Sequence, residues 1–176
     1  MEIKLKLAAQ YQRFAAQLSN MEQTALNKAN PKVLAKVLRN LKVKTKRAAA
    51  EHYGAAQKVF STRVNSYFSK NRQVGELWVG LNSVDLYKLG KAKQIGPGVR
   101  VNNIYKAPAF IQTVRRGQVA QKTSIWRRLN KIKIEKVKVE LAELNAVIEK
   151  IAKQYGLRQY RELLEQAMLL ELLKIK

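Results

Sequence analysis

A chain of 176 residues with 47% hydrophobic side chains is too apolar for a disordered basic tail, and it is long enough for one domain burying about 70% of its unfolded-chain surface. It carries 35 Lys and Arg against 12 Asp and Glu, a formal charge of +23, which asks for DNA or an acidic protein surface nearby. With no cysteine, disulfides and thiolate metal sites are excluded. No apolar run reaches the roughly 18–20 residues that span a bilayer, and Met1-Glu2-Ile3-Lys4-Leu5-Lys6 lacks the apolar stretch of a secretory signal, so a cytoplasmic site of synthesis and use is expected, with no membrane partner.

Leu7, Tyr11, Phe14, Leu18, Met21 and Ala25 fall at alternating spacings of four and three, one apolar stripe on an amphipathic helix. Asn30-Pro31 reads as the opening of a second helix, with Asn30 as cap and Pro31 in the first turn. Val33, Val37, Leu41 and Ala48 to Ala50 give that helix an apolar side, and it is expected to stop near Tyr53-Gly54. A shorter helix from about Ala55 to Val59 follows, then a stretch from Ser61 that fits helix or strand.

Between Leu77 and Ile111 the pattern changes. Leu77, Val79 and Leu81 alternate with Trp78, Gly80 and Asn82, and Val99 and Val101 alternate with Arg100 and Asn102. This is period-two strand patterning cut by turn residues, and a small sheet is expected. Ser83 to Leu86 reads as a turn. From Glu140 to Gln154 the composition is helical, with Leu141, Leu144, Ile148 and Ile151 three or four apart, and Gly156 is expected to break the helix. In the last segment Leu157, Tyr160, Leu164, Ala167 and Met168 form one stripe, while Leu163, Leu169, Leu170, Leu172 and Leu173 widen the apolar surface beyond it. Those five leucines are the candidate subunit interface.

Catalytic chemistry has little to stand on. His52 is the only histidine and Asp85 the only aspartate, too few for a triad, a zinc site or a two-metal centre. Gly96-Pro97-Gly98 lacks the following Gly-Lys-Ser/Thr and helix of a phosphate loop, so it reads as a tight hairpin or a mobile loop. No catalytic residue, cofactor or metal is therefore expected. The candidates for contact with DNA or an acidic surface are the helical cluster Lys42, Lys44, Lys46 and Arg47, then Lys91, Lys93, Arg115 and Arg116. Trp78, Tyr87, Tyr105, Phe110 and Trp126 are scattered and do not line up as stacking platforms, and no RNP-like, KH or helix-turn-helix pattern stands out.

Val79-Gly80-Leu81-Asn82, Leu89-Gly90, the basic Lys91 to Lys93, Gly98-Val99-Arg100-Val101 and Ala107-Pro108-Ala109-Phe110-Ile111 occur in that order. In this order they resemble the centre of the minor tail protein Z family, the lambda-type tail completion proteins of long-tailed bacteriophages. Farther on, Ile132 to Val139 resembles that family's late K-V-x-V-like strand without the proline expected before the isoleucine, and the likeness spans roughly residues 30 to 176. It implies a virion protein at the head-proximal end of the tail, present in the host cytoplasm during assembly. Its implied partners are copies of itself in a ring around the DNA channel, the tail terminator, the head-tail connector and the packaged DNA. Six copies follow from the symmetry expected of tail tubes. A basic, non-catalytic nucleic-acid-binding protein of ribosomal or chromosomal type is the competing reading of charge and size.

The fold expected is α+β in a single domain over 1–176: long amino-terminal helices over 1–70, a small, mostly antiparallel sheet over 75–139, and a carboxy-terminal helical pair over 140–176.

Overall fold

A computed structural model describes residues 2–6, 19–69, 74–116 and 120–174 of the chain, without the side chains of 2–6, 114–116 and 120–122. The fold is mixed α+β, with a long helix near the amino end, small antiparallel sheets in the middle and helix at the carboxy end. Two compact units divide it: one is built from Met1–Lys46, Thr62–Gly80 and Asn145–Lys176, the other from Arg47–Ser61 and Leu81–Leu144.

The first unit rests on helix α1, which runs unbroken from Asn20 to Tyr53 and gives its first part to this unit. Its start is fixed by Ser19, whose backbone N–H and hydroxyl both donate to the Glu22 carboxylate, at 2.9 and 2.7 Å. Those bonds hold the Glu22 carboxyl below its ordinary value. The expected helix start at Asn30-Pro31 is therefore corrected: Pro31 lies inside α1. An interior proline costs about 3 kcal/mol, and burial outweighs that here. Ala25, Leu26, Ala29, Val33, Leu34, Val37, Leu38 and Leu41 are all buried at helical spacing, and Asn30 is fully buried rather than capping. Of the first apolar stripe, Leu7, Tyr11, Phe14 and Leu18 lie outside the described residues, Ala25 is buried and Met21 is exposed.

Strand β1 (Glu2–Lys6) pairs antiparallel with β3 (Val74–Gly80), which pairs on its other edge with β2 (Val64–Ser69). The register sets Leu77 opposite Leu5 and Ser66, and Val79 opposite Ile3 and Val64. Leu77, Val79 and Val64 are buried, as the alternation at 77–81 predicts.

The carboxy-terminal helix is α2 (Leu144–Ile151), a π-turn (Ala152–Gly156) and α3 (Leu157–Leu173), continuous in helical backbone. Gly156 does not break it, and the expected helical pair is one run. A Cβ on Gly156 would stand 3.1 Å from Leu41 Cδ1, so the glycine serves close packing against α1. Tyr160, Leu164 and Met168 are buried, and the Tyr160 hydroxyl donates to Asn30 Oδ1 at 2.7 Å.

In the second unit, α1 ends as expected near Tyr53-Gly54. Gly54 turns to φ +60, the Ala55 N–H reaches Ala50 O at 2.8 Å and the Gly54 N–H reaches Glu51 O at 3.2 Å, a glycine C-cap closing the last turn. A short 3-10 turn, Gln57–Phe60, replaces the expected helix 55–59. Ser83 to Leu86 is corrected too: Val84–Asp85 forms strand β4, paired with β11 (Lys138–Val139), and a 3-10 turn follows from Leu86. Two further sheets are β5–β6–β7 (Ala92–Ile95, Gly98–Val101, Ile104–Lys106) and β10–β9–β8 (Ile134–Lys136, Ala120–Arg128, Phe110–Arg116). The stretch from Leu77 to Ile111 is thus several small sheets. Asn102, at φ 51, joins the parts of this unit by donating from Nδ2 to Leu89 O at 3.0 Å and to Tyr53 O at 3.3 Å.

Candidate nucleic-acid interface

Two-residue turns decide which basic side chains meet. Gly96-Pro97 joins β5 to β6 with Ile95 opposite Gly98, and Asn102-Asn103 joins β6 to β7 with Val101 opposite Ile104. Counting back from each turn sets Lys93, Arg100 and Tyr105 directly across from one another on three adjacent strands. Directly paired residues share a face. Val99 and Val101, which alternate with Arg100, are fully buried, so the opposite face of β6 is the packed one. Lys91, Lys93 and Arg100 are exposed, and Tyr105 is 43% exposed.

The Tyr105 ring lies over Gly98, where an added Cβ would come within 2.6 Å of it, and its hydroxyl donates to Ile95 O at 3.3 Å. Gln94 secures the turn beneath: Nε2 donates to the carbonyls of Gly96, Gly98 and Ala109 at 3.2, 3.0 and 3.1 Å, and Oε1 accepts from the Ile111 N–H at 3.3 Å. Like charges opposite each other destabilise a sheet by a few tenths of a kcal/mol to about 1 kcal/mol. A Lys93–Arg100 pair held on a rigid, half-solvated sheet suits phosphates or carboxylates brought by a partner.

In the helical cluster Lys42, Lys44 and Lys46 are half-buried, and two of its four members already have partners. Lys44 Nζ sits 3.0 Å from the centroid of the Tyr155 ring, and this contact holds the Tyr155 phenol below its ordinary value, first by hydrogen bonding and then by charge. In the second unit, exposed Arg47 pairs with Glu51 at 2.8 Å. Arg115 and Arg116 end β8 opposite Gln121 and Ala120, but their side chains lie outside the described residues. His52 faces Glu143 at 3.5 Å, and Asp85 faces Lys88 at 3.8 Å.

In the first unit, Leu169, Leu170 and Leu173 are 63%, 60% and 68% exposed, on the side of α3 away from buried Tyr160, Leu164 and Met168. Leu163 and Leu172 flank the buried stripe and are half-buried, so three of the five candidate interface leucines are open to a partner. Arg100 and Tyr105 are not among the candidates that the sequence names. The signal was present in the two turns, because a two-residue hairpin fixes the register.

Among the described residues no group of three or more His, Asp or Glu could hold a metal ion, and no helix is long and apolar enough to cross a membrane. Compared with protein-family models, curated proteins and solved structures, the chain matches none.

Proposed function

We propose that this chain is a non-catalytic structural protein that completes the head-proximal end of a bacteriophage tail, assembling as a ring of copies, six by tail symmetry, around the DNA channel. The ordered motifs from Val79 to Ile111 support the tail reading through their resemblance to tail completion proteins. The observation that carries an assembly role is the exposed aliphatic face Leu169, Leu170 and Leu173 on a helix whose opposite side is already packed. Water-exposed leucines grouped this way gain about 25 cal/mol per Å² of apolar surface when a neighbouring subunit covers them. The Lys93–Arg100–Tyr105 row provides sequence-independent contact to DNA in the bore or to acidic tail terminator or connector subunits.

The same row favours the second reading, a dedicated nucleic-acid-binding protein. The mass of the purified protein, measured at moderate and high salt with and without tail tubes or random duplex DNA, separates them. Ring formation, or incorporation at tail ends alone, supports tail completion. A monomer that ignores tails and binds DNA at physiological salt supports the second reading.

A further inference from the structure

Within the second unit a cleft of about 910 Å³ opens beside Trp126, with Tyr53, Pro108, Lys106, Lys136 and Lys138 in its wall. Its size falls inside the roughly 300–1,000 Å³ of small-molecule sites. Charge decides what it accepts. Four cations and three carboxylates line it, and one of each is already paired, Glu135 with Arg127. Lys106, Lys136 and Lys138 then stand against Glu140 and Glu143, an excess of one positive charge, and none of the three forms an ion pair among the described residues. The cleft therefore carries a net positive charge, with Trp126 and Pro108 in its wall.

Trp126 adds the second feature. It pairs with Phe110 on one side and Lys136 on the other in the β8–β9–β10 sheet, and Lys136 Nζ is 5.7 Å from its ring centroid. The indole N–H is enclosed and has no acceptor among the described residues. With that donor unused, what the ring offers the cleft is its large, electron-rich face. An aromatic wall beside three lysines matches a base joined to a phosphate.

We propose that this cleft binds a nucleoside phosphate, free in solution or as an unstacked nucleotide of a single strand, with Trp126 supplying the stacking face and Lys106, Lys136 and Lys138 the phosphate contacts. A single copy of the chain contains the whole site, so the proposal stands whether or not rings form.

The test uses the full-length protein with Trp78→Phe, leaving Trp126 as the only tryptophan, titrated at physiological salt with ATP, with a 5′-phosphorylated oligothymidylate and with inorganic triphosphate. Saturable quenching by ATP or the oligonucleotide below about 1 mM is expected. It should weaken about tenfold in Lys106→Ala and in Lys138→Ala, both exposed positions whose melting temperature is checked in parallel. Quenching by both probes identifies free nucleotide as a source, and quenching by the oligonucleotide alone identifies the strand. Equal response to triphosphate, equal response in the lysine variants, or silence with both nucleotide probes overturns the proposal.

Discussion

The Tyr160 hydroxyl donates a 2.7 Å hydrogen bond to Asn30 Oδ1, joining positions 130 residues apart in the chain. Asn30 is fully buried and Tyr160 is 2% exposed. The bond explains why a polar residue sits just before Pro31 inside α1: its side chain is spent on α3 and not on starting a helix. Tyr160→Phe keeps the ring and removes the donor, so it should cost about 1–3 kcal/mol in urea unfolding with an unchanged denaturant slope. An unchanged midpoint would mean that the bond does not contribute.

Glu171 is buried and accepts from Lys32 at 2.9 Å and Lys174 at 3.2 Å. Those two bonds, Lys32 first, lower its carboxyl below the ordinary 4.5. A depressed acid contributes stability above its unfolded value and loses it as the pH falls through the folded one. Stability from this site is therefore full above about pH 4.5 and declines below it. Unfolding midpoints across the acid range should fall less steeply for Glu171→Gln than for the parent; parallel curves would remove the linkage.

If the sheet face contacts phosphates, Lys93→Ala with Arg100→Ala should lower the salt slope of duplex DNA binding by about 1.8, near 0.9 per contact. Lys44→Ala with Arg47→Ala should change it little, because those side chains already face Tyr155 and Glu51. The reverse ranking would move the interface to the helix.

Replacing Lys44 has its own optical signature. Without the ammonium over its ring, the Tyr155 phenol should titrate at higher pH in Lys44→Met, read as a shift in the alkaline absorbance change of tyrosinate. No shift relative to the parent would place the Lys44 ammonium away from that ring in solution.

Leu169→Gln with Leu173→Gln should leave folding stability within about 0.5 kcal/mol, since both side chains are exposed, while abolishing association with other copies or with tail ends. Association that survives the double change would place the contact elsewhere.

The apolar periodicity of 33–41, the alternation at 77–81 and 99–101 and the stop at Gly54 were legible because each follows from local geometry, and the structure buries the residues they name. Pro31 and Gly156 misled for a common reason. Their helix-breaking tendencies are local, about 3 and 1 kcal/mol, and the packing of α1 against α3 residues far along the chain exceeds them. The basic patch was legible only in part. Lys91 and Lys93 were visible as charges, but pairing with Arg100 and Tyr105 depends on strand register, and Lys44 is engaged by a tyrosine supplied by a distant π-turn.

The first unit takes its chain from three separated stretches, the last being Asn145–Lys176. During synthesis, α1 and its sheet emerge early with a bare apolar flank, and they cannot close their core until Tyr160, Leu164 and Met168 have left the ribosome. The outward leucines at 169, 170 and 173 follow these residues in the chain. A truncated product of translation would thus lack the docking face proposed here together with the residues that complete the core, and the order of synthesis itself would keep unfinished chains out of the assembly.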